Sequence, residues 1–317
     1  MSPEYLSVVI PAWNGAELLP TCLASLRSQT YRHFETIVVD NASADATVSL
    51  LEREFAEVTV VRLPTNRGFT GAVNVGIAHS RGQLIVLVNQ DVEVHPDWLQ
   101  ALADASTRHP AAGAFACKIM LFDKRDCFHS AGDTYQRDGI PVNRGVWARD
   151  SGQFDEATEV FGACGGAAAY RRSMLDQVGL LDERFFMYCE DVDLAWRHQL
   201  AGFPAVFVPE SVAYHRLSAS GGGITPSYYT GRNTVWVIAK NVPGPLLRRH
   251  LPAMVAAQWR IAKQALASWR GEAARARLRG QLAGLLSWPR LLSSRRSIQR
   301  MRRVSIQYLE NLLQPVD

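Results

Sequence analysis

Short apolar runs and helical stretches alternate through the first 90 residues, and this alternation restricts the fold more than any other feature of the sequence. Each run is rich in β-branched residues, and each segment between runs has helical periodicity. The runs are 6–10, 35–39, 58–62 and 83–88, and the segments are 15–30, 43–55 and 70–79. Strands that are apolar on both faces are typical of parallel sheets covered by helices on both sides. The sequence therefore predicts an α/β fold with a mostly parallel sheet.

Polar side chains follow each of the four runs, at the point where the predicted strand ends. Asn14, Asp40, Asn66 and Asp91 are the clearest examples. Each of them is, by itself, a common turn former or helix cap. However, the carboxyl ends of parallel strands meet at one edge of a sheet, and ligands of such sheets bind there. Four polar strand ends together favour a site for a polar ligand.

The composition is that of a globular protein with a sizeable core. The chain has 317 residues, of which 47% are hydrophobic and 20% charged, so neither a disordered nor a fibrous chain is expected. Its five cysteines lack any Cys-x-x-Cys spacing, which argues against a disulfide scaffold or a structural zinc site and favours a reducing cytosol. We expect neither a bilayer-spanning helix, which needs roughly 20 apolar residues, nor a cleaved signal peptide.

Three carboxylates, Glu190, Asp191 and Asp193, stand at the predicted start of a helix, directly behind the mainly aromatic run 185–188. Acids at a helix N-terminus are stabilised by the helix macrodipole, which is one explanation for them. They also repel one another, and in a partly apolar setting such a cluster raises the pKa of a carboxyl group, as a general base requires. We therefore interpret this cluster as catalytic.

His215 follows the apolar run 205–208 and precedes a glycine-rich segment. A single histidine is more often a satisfied structural residue than a metal ligand. This one stands at the end of a predicted strand, beside a loop, where a ligand would also be placed. From the residues alone, both roles remain open.

Charge is distributed unevenly along the chain. Residues 240–317, here called the basic tail, contain 15 Lys and Arg against three acids, a net charge of +12. The preceding 239 residues contain 19 basic and 27 acidic side chains, a net charge of −8. Such asymmetry favours an anionic partner for the tail. The acidic body argues against nucleic acid as that partner.

The basic tail is helical in composition, and we predict a helix that begins at Pro252 and ends near residue 270. Met254, Ile261, Ala265 and Trp269 would share one face of it, opposite basic residues. A basic amphipathic helix with a Trp at its border suits an anionic membrane surface. The alternative is that the tail packs on the body, with its arginines solvated or paired with the excess acids there.

Six short motifs, taken in order, resemble those of family 2 glycosyltransferases of the GT-A fold. They are 8–14 (VVIPAWN), 38–43 (VVDNAS), 66–69 (NRGF), 89–91 (NQD), 190–193 (EDVD) and 232–233 (RN). More narrowly, the chain is similar to the bacterial rhamnosyltransferase-like branch that uses dTDP-sugars in polysaccharide assembly. The resemblance covers about residues 5–240 and is looser in the tail.

The resemblance implies a GT-A-like, Rossmann-type, mostly parallel sheet with helices on both faces, plus a C-terminal helical extension. It implies a catalytic domain over residues 1–239 and the extension over 240–317. Within the catalytic domain, a nucleotide-sugar half would cover about 1–110 and an acceptor half about 111–239.

The resemblance also implies which residues contact the nucleotide-sugar. They are Pro11, Ala12, Asn14, Asp40, Asn66, Gly68, Asn89 and Gln90. The first three would line the base pocket, and Asp40 would hydrogen-bond the nucleoside. Asn66 and Gly68 would lie along the nucleotide, where a side chain on residue 68 would obstruct its close approach.

Residues 89–91 stand where the family has its Asp-x-Asp metal motif. Asp91 would bind a divalent cation, Mn²⁺ or Mg²⁺, with His215 as a further ligand. Asn89 leaves the motif one negative charge short, and Glu93 is a candidate to supply it if the extended backbone continues that far. Asp191 would be the catalytic base, with Glu190 and Asp193 orienting the acceptor or the base.

The activity implied is that of a metal-dependent inverting glycosyltransferase, with dTDP-rhamnose the favoured donor and a saccharide or lipid-linked acceptor in bacterial polysaccharide biosynthesis. One base facing the acceptor, with the metal on the other side of the sugar, predicts a single displacement. We expect a cytoplasmic protein, peripheral on the inner face of the cytoplasmic membrane, and leave its oligomeric state open. The alternatives are a catalytically impaired sugar-nucleotide-binding protein, suggested by Asn89, and a nucleotidyltransferase, whose glycine-rich loop after the first strand is missing.

Overall fold

Strands and helices alternate along the N-terminal part of the chain, as the sequence predicts. The computed structural model describes residues 4–156, 158–217 and 223–316. The strands are β1 Leu6–Ala12, β2 Phe34–Asp40, β3 Thr59–Arg62, β4 Leu84–Val88, β5 Val92–Val94, β6 Ala114–Leu121, β7 Phe128–Ser130, β8 Asp133–Gln136, β9 Pro141–Asn143, β10 Glu159–Val160, β11 Ala167–Arg171, β12 Ala205–His215 and β13 Leu313–Gln314. The helices are α1 Leu19–Arg27, α2 Thr47–Glu54, α3 Gly68–His79, α4 Trp98–Arg108, α5 Arg172–Val178, α6 Glu190–Ala201, α7 Ile224–Asn241, α8 Gly244–Ala267, α9 Glu272–Ser287, α10 Leu292–Arg300 and α11 Ile306–Leu312.

A large mixed sheet forms the centre of the molecule. Within the described ranges it has ten strands, in the order β10-β12-β6-β11-β4-β1-β2-β3, with β5 on β12 and β7 on β6. β1 pairs in parallel with β2 and β4, β2 with β3, and β12 with β6. β11 lies antiparallel between β4 and β6. The prediction of an α/β fold with a mostly parallel sheet is confirmed.

Helices cover both faces of this sheet. Successive side chains of a strand point to opposite faces, so one apolar strand contributes to a core on each side. In β1, Val8 and Ile10 pack in one core with Leu23 of α1. Val9, between them, packs in a second core with Val73 of α3. All three strand residues are fully buried. Burial of such a side chain contributes about 1.5–3 kcal/mol, which holds the helices on the sheet and fixes where each strand ends.

The C-terminal helices pack against α6 and β8 through a third core. Trp196 of α6, Trp236 of α7, Met254 of α8 and Leu309 of α11 belong to it. Near the end of the chain, β13 pairs in parallel with β8 in a small sheet that also contains β9. Helix α7 runs through the position between residues 239 and 240 at which we divided the chain, and the division itself stays a prediction.

The helix expected to begin at Pro252 begins eight residues earlier, so this prediction is wrong. α8 starts at Gly244, with Pro245 in its first turn, and Pro252 lies inside it. A proline fits the first turn because its missing N–H would have no partner there. Pro245 meets that condition, whereas Pro252 is accommodated in the helix interior. Of the residues predicted to share one apolar face, Met254 and Ala265 are buried, whereas Trp269 lies beyond the end of α8 and is 54% exposed.

Candidate active site

The loops that follow β1 and β2 are joined side by side at the carboxyl edge of the sheet. Asn14 accepts a hydrogen bond at Oδ1 from Ala44 N (2.8 Å) and donates from its own N to Ser43 Oγ (2.9 Å). Gly15 N donates to Thr47 Oγ1 over 2.8 Å. Pro11 and Ala12 are the last two residues of β1, directly before this junction. The residues predicted to line a base pocket therefore stand on one continuous edge.

Gln90, just after β4, ties a third strand end to the same edge. Its Oε1 accepts from Trp13 N (3.0 Å), and its Nε2 donates to Trp13 O (3.2 Å). Trp13 itself is 54% exposed, so its indole is available as an aromatic surface beside the junction. The Gln90 amide therefore holds the backbone of Trp13, and its contact with the nucleotide-sugar stays a prediction.

The end of β3 joins the edge through Asn41. Its Nδ2 donates to Asn66 Oδ1 (3.0 Å) and to Gly68 O (3.1 Å), and its Oδ1 accepts from Arg67 N (2.8 Å). Asp40, one residue earlier, is 3% exposed and accepts from Ser43 N over 3.2 Å. All four strand ends named in the sequence analysis thus meet at one edge.

Gly68 is required by the fold itself, a reason that the sequence analysis did not foresee. Its φ is +71°, a conformation that side chains rarely adopt. A Cβ at this position would lie 2.4 Å from the carbonyl oxygen of Phe186. The backbone of the loop before α6 leaves no room for a side chain here, and the predicted close approach of a nucleotide to Gly68 stays a prediction.

That loop is strained and is clamped by α7. Phe186, Tyr188 and Cys189 all have φ between 62° and 67°, although none is glycine. The buried Asn233 of α7 donates from Nδ2 to the carbonyl oxygens of Phe185 (3.1 Å), Met187 (2.9 Å) and Tyr188 (2.7 Å). The Arg-Asn pair 232–233 of the sequence motif therefore holds the segment that leads into Glu190 and Asp191.

Asp91 and His215 lie together, as the sequence predicts for two metal ligands. His215 Nε2 is 3.2 Å from Asp91 Oδ1, and each residue is 6% exposed. β5 pairs antiparallel with the end of β12 just beyond Asp91, which brings the two residues together. Asn89 Oδ1 is buried and has no hydrogen-bond partner among the described residues.

The far side of His215 is supported by a histidine that the sequence analysis missed. His129 Nδ1 lies 3.0 Å from His215 Nδ1, and Asn143 Nδ2 lies 3.2 Å from His129 Nε2. Burial and then the neighbouring His215 lower the pKa of His129 to about 3, so His129 is neutral at neutral pH. When His215 donates through Nδ1, the lone pair on its Nε2 faces Asp91 and is available to a cation.

Two adjacent glycines connect this pair to Asp191. Gly165 N donates to Asp191 Oδ2 over 2.9 Å. A Cβ on Gly166 would lie 3.5 Å from the imidazole of His215 and 3.9 Å from Asn89 Nδ2. Asn89 N also donates to Gly166 O over 3.0 Å. Gly165 and Gly166 therefore lie between Asp191 and the Asp91–His215 pair, and neither glycine has a side chain to fill the space there.

Two of the three carboxyl groups at the start of α6, those of Glu190 and Asp191, titrate at higher pH than exposed ones. Burial raises the pKa of Asp191, against hydrogen bonds from Gly165 N and Val192 N that lower it. Burial, and then the charge of Asp191, raise the pKa of Glu190 well above its usual value. Burial raises the pKa of Tyr188 as well, followed by the charges of Glu190 and Asp91.

Asp133, at the start of β8, is a further acid of this site. Its side chain accepts from Ser130 Oγ over 3.2 Å. Burial, and then the charge of Asp191, raise its pKa well above the usual value. One ligand atom from each of Asp133, Cys164 and Asp191 lies within 4.8 Å of the others. We treat Asp133 and Asp191 as a pair that titrates together.

Residues 7–179 match the profile described as Glycosyl transferase family 2. The chain belongs to glycosyl transferase family 2. The N-acetylglucosaminyl-diphospho-decaprenol L-rhamnosyltransferase of Mycobacterium tuberculosis is 31% identical over 242 residues, covering 69% of this chain and 78% of that protein. The amylovoran biosynthesis glycosyltransferase AmsB of Erwinia amylovora is 28% identical over 224 residues, 68% of this chain and 71% of that one.

Solved structures of other proteins share the fold. The mannosyltransferase PcManGT of Pyrobaculum calidifontis, in complex with GDP-Man and Mn²⁺, aligns with a TM-score of 0.53 at 20% identity, covering 97% of this chain and 82% of that one. S. aureus TarS 1–349 in complex with UDP aligns with a TM-score of 0.56 at 16% identity, covering 96% and 91%. This chain spans 42% of a longer TarS structure. These likenesses show a GT-A-type fold.

Asp193 does not belong to the reactive part of this family 2 site, which corrects our expectation that it orients the acceptor or the base. It is fully buried, and its carboxylate pairs with Arg197 Nε (2.9 Å) and Lys240 Nζ (2.7 Å) and accepts from Asn241 Nδ2 (2.7 Å). Because those partners occupy its oxygens, Asp193 joins α6 to the end of α7.

Glu93 does not supply the charge that Asn89 lacks. Its carboxylate binds Arg125 in a bidentate ion pair, with N–O distances of 3.0 and 2.8 Å. The amide of Asn89, by contrast, remains beside His215.

A cavity of about 320 Å³ opens next to His215, with Phe122, Lys124 and the exposed Trp147 among its lining residues. Sequence motifs gave no sign of this cavity, because its walls come from separate segments.

Proposed function

We propose that this family 2 glycosyltransferase moves a sugar from a nucleotide-sugar, with dTDP-rhamnose the favoured donor, to a saccharide or lipid-linked acceptor with inversion at the anomeric carbon. One observation carries the proposal. A half-buried carboxylate of raised pKa, Asp191, stands across two adjacent glycines from a carboxylate–imidazole pair, Asp91 and His215. This arrangement supports a base on one side of a sugar and a cation on the other.

The donor set beside Asn89 fits a divalent cation. A carboxylate oxygen and an imidazole nitrogen lie 3.2 Å apart, and a buried amide oxygen next to them has no partner among the described residues. Oxygen ligands with one imidazole suit Mn²⁺ or Mg²⁺. Asp91 and His215 would hold the ion, which would stabilise the negative charge that develops on the diphosphate leaving group. Among solved relatives of the fold, PcManGT is described with GDP-Man and Mn²⁺.

Asp191 is suited to accept the proton of the attacking hydroxyl. The acceptor oxygen bonds to the anomeric carbon, the bond from that carbon to the diphosphate breaks, and the hydroxyl proton passes to the Asp191 carboxylate. The nucleoside diphosphate leaves with the bonding electron pair. Backbone N–H groups of Gly165 and Val192 fix both oxygens of Asp191, so the base is oriented before the acceptor arrives.

The acceptor class follows from a relative and remains part of the proposal. The mycobacterial relative is named for a decaprenol diphosphate carrying N-acetylglucosamine. A lipid-linked acceptor of that kind would require the enzyme to work at a membrane surface. In the part of the chain that the structure describes, no helix is long and apolar enough to cross a bilayer. We therefore propose peripheral association.

Donor binding tests the metal and nucleotide assignments. We expect dTDP-rhamnose with Mn²⁺ to raise the melting temperature of the wild-type protein more than either alone, because a ligand at 100 times its Kd stabilises the folded state by about 2.7 kcal/mol. UDP- and GDP-sugars serve as competing donors. In Asp91→Asn the additional effect of Mn²⁺ should disappear, whereas Asp104→Asn, a change at an exposed position of α4, should retain it. An equal shift in both variants would contradict the role of Asp91.

The raised pKa of Asp191 predicts a pH dependence. The base works only when ionised, so kcat/KM should fall as the pH decreases through the pKa of the Asp133–Asp191 pair. Because burial raises that pKa, the acid limb should lie at higher pH than the pKa of about 3.9 of an exposed aspartate. Initial rates at constant ionic strength between pH 4 and 9 measure it. A rate that is flat down to about pH 4 would contradict the assignment.

A further inference from the structure

The C-terminal helices expose an unusual amount of apolar surface. Of the fourteen large apolar side chains that are exposed in the described residues, ten lie between 251 and 292. They are Leu251, Val255, Trp259, Leu266, Trp269, Leu282, Leu285, Leu286, Trp288 and Leu292. Soluble proteins rarely leave contiguous apolar patches uncovered unless something binds to them.

Six of these side chains share one face of the α8–α9 hairpin. Gln281 Nε2 donates to Gln258 O (3.0 Å) and Gln258 Oε1 (2.8 Å), and both residues are equally distant from the turn, so the helices are antiparallel with Gln258 facing Gln281. In an α-helix each successive side chain is rotated by about 100° around the helix axis. In two antiparallel helices that face each other, this rotation carries the next side chain of both helices to the same side. Trp259 and Leu282 therefore point the same way. By the same rotation, the α8–α9 apolar face consists of Val255, Trp259, Leu266, Leu282, Leu285 and Leu286.

The surroundings of this face are basic and mostly unneutralised. The basic tail carries a net charge of +12. Among the described residues, only two of its 15 cations form ion pairs with acids of the body: Lys240, with Asp182 and Asp193, and Arg260, with Asp138. The tail helices pack on the body through the third core, as the alternative interpretation expected, but most of their cations are not paired with acids of the body. Arg270, Arg279 and Arg290 are exposed near the face and available to an anionic partner.

We propose that the α8–α9 apolar face inserts into the interface of an anionic lipid bilayer. Tryptophan and leucine side chains enter the boundary between headgroups and acyl chains, and the surrounding arginines bind anionic headgroups. A second copy of the chain is a poorer occupant, because a symmetric dimer would bring two strongly basic surfaces together. The acidic body, with a net charge of −8, would face away from the bilayer.

The face is rigidly connected to the candidate active site. α9 crosses α7 so closely that a Cβ on Gly280 would lie 2.1 Å from Tyr228 O, and one on Gly231 would lie 2.5 Å from Arg277 O. α7 in turn holds the loop before Asp191 through Asn233. The proposed insertion into a bilayer deepens the proposed function and rests on it in one respect only. A bilayer at the face would present a lipid-linked acceptor at a fixed distance from Asp191.

Vesicle binding tests the proposal without any sugar transfer, so its failure can be distinguished from failure of the proposed enzyme activity. We expect the full-length protein to co-sediment with vesicles containing phosphatidylglycerol but only weakly with phosphatidylcholine alone, and raised salt to weaken the binding. The triple variant Trp259→Ser, Leu285→Ser, Leu286→Ser keeps every charge and should bind roughly tenfold or more weakly. Trp147→Ser, an equally exposed tryptophan outside the face, should bind as the wild type does.

Two further measurements keep the outcome unambiguous. Brominated lipids should quench the fluorescence of the wild type more than that of Trp259→Phe, since quenching requires insertion of that indole. Light scattering reports the oligomeric state of both proteins. The proposal is overturned if the wild type fails to bind anionic vesicles at low salt, or if the folded triple variant binds equally well. It is also overturned if the wild type is a dimer that the triple variant dissociates, because a second copy then covers the face.

Discussion

Replacement of Asp191 by Asn is expected to lower the rate of sugar transfer by about 10²–10⁴-fold, the usual contribution of a positioned general base. Asn cannot accept the hydroxyl proton. Its amide oxygen preserves one of the two backbone hydrogen bonds that Asp191 receives, from Gly165 N or Val192 N, so the helix start should stay in place. Steady-state transfer from dTDP-rhamnose to a saccharide or lipid-linked acceptor measures the effect.

The variant separates catalysis from binding. The melting-temperature shift with donor and Mn²⁺ should persist in Asp191→Asn, because Asp91 and His215 are unchanged. Asp104→Asn, an exposed residue of α4, is the matched control and should transfer sugar at the wild-type rate. Transfer by Asp191→Asn at near the wild-type rate would mean that another group is the base. Loss of donor binding together with activity would mean that Asp191 is part of the donor site instead.

Replacement of Asp193 by Asn is expected to destabilise the protein by about 3–5 kcal/mol, the cost of removing one partner from a buried ion pair. Arg197 is 4% exposed, and its other hydrogen bonds go to the neutral backbone oxygens of Val178, Gly179 and Leu180. Without Asp193 its charge has no carboxylate beside it. Lys240 retains Asp182, at 2.6 Å, so the loss falls mainly on Arg197.

The same residue predicts a dependence of stability on pH. Burial alone would raise the pKa of Asp193, but the charges of Lys240 and Arg197 outweigh it and hold the pKa below its usual value. The contribution of Asp193 is thus present above the pKa of an unfolded aspartate and is lost as the pH falls towards the folded value. The wild type should lose more stability on acidification than Asp193→Asn does.

Urea unfolding at pH 7 and at acid pH measures both effects. Asp176→Asn, an exposed change on α5, should alter the free energy of unfolding by less than about 0.5 kcal/mol. If Asp193→Asn were as stable as the wild type but inactive, Asp193 would have the catalytic role that its buried partners argue against.

The strands at the start of the chain could be predicted because their signal is local. Runs such as 35–39 and 83–88 are β-branched and apolar, and β2 and β4 begin and end within one residue of them. The polar residues at the strand ends could be predicted from the same pattern. A buried apolar strand ends where polar side chains begin, and at the carboxyl edge of the sheet these contact solvent or a ligand. The acidic start of α6 could also be predicted, because its three carboxylates lie within four residues of the sequence.

β11 could not be predicted, although it lies in the middle of the sheet. Its sequence, Ala167–Arg171, contains three alanines, which favour a helix by intrinsic preference. All three are fully buried between β4 and β6, where small side chains fit. Tertiary packing therefore decides the conformation, and no local pattern records it.

The supporting residues of the site were missed for another physical reason. His129 is 86 residues from His215, and Asp133 is 58 residues from Asp191, so neither shares a motif with the group it contacts. His129 comes from β7 and Asp133 from β8, short strands that exist only because they pair with β6 and β9. Only the folded chain brings these side chains together.

The position of a bound manganese ion tests the account most directly. In crystals grown with dTDP and Mn²⁺, the anomalous difference map should show the ion in contact with the Asp91 carboxylate and His215 Nε2, and not with Asp191. An ion bound among Asp133, Cys164 and Asp191, whose ligand atoms lie within 4.8 Å of one another, would contradict the account. Asp191 would then be a metal ligand and could not serve as the base.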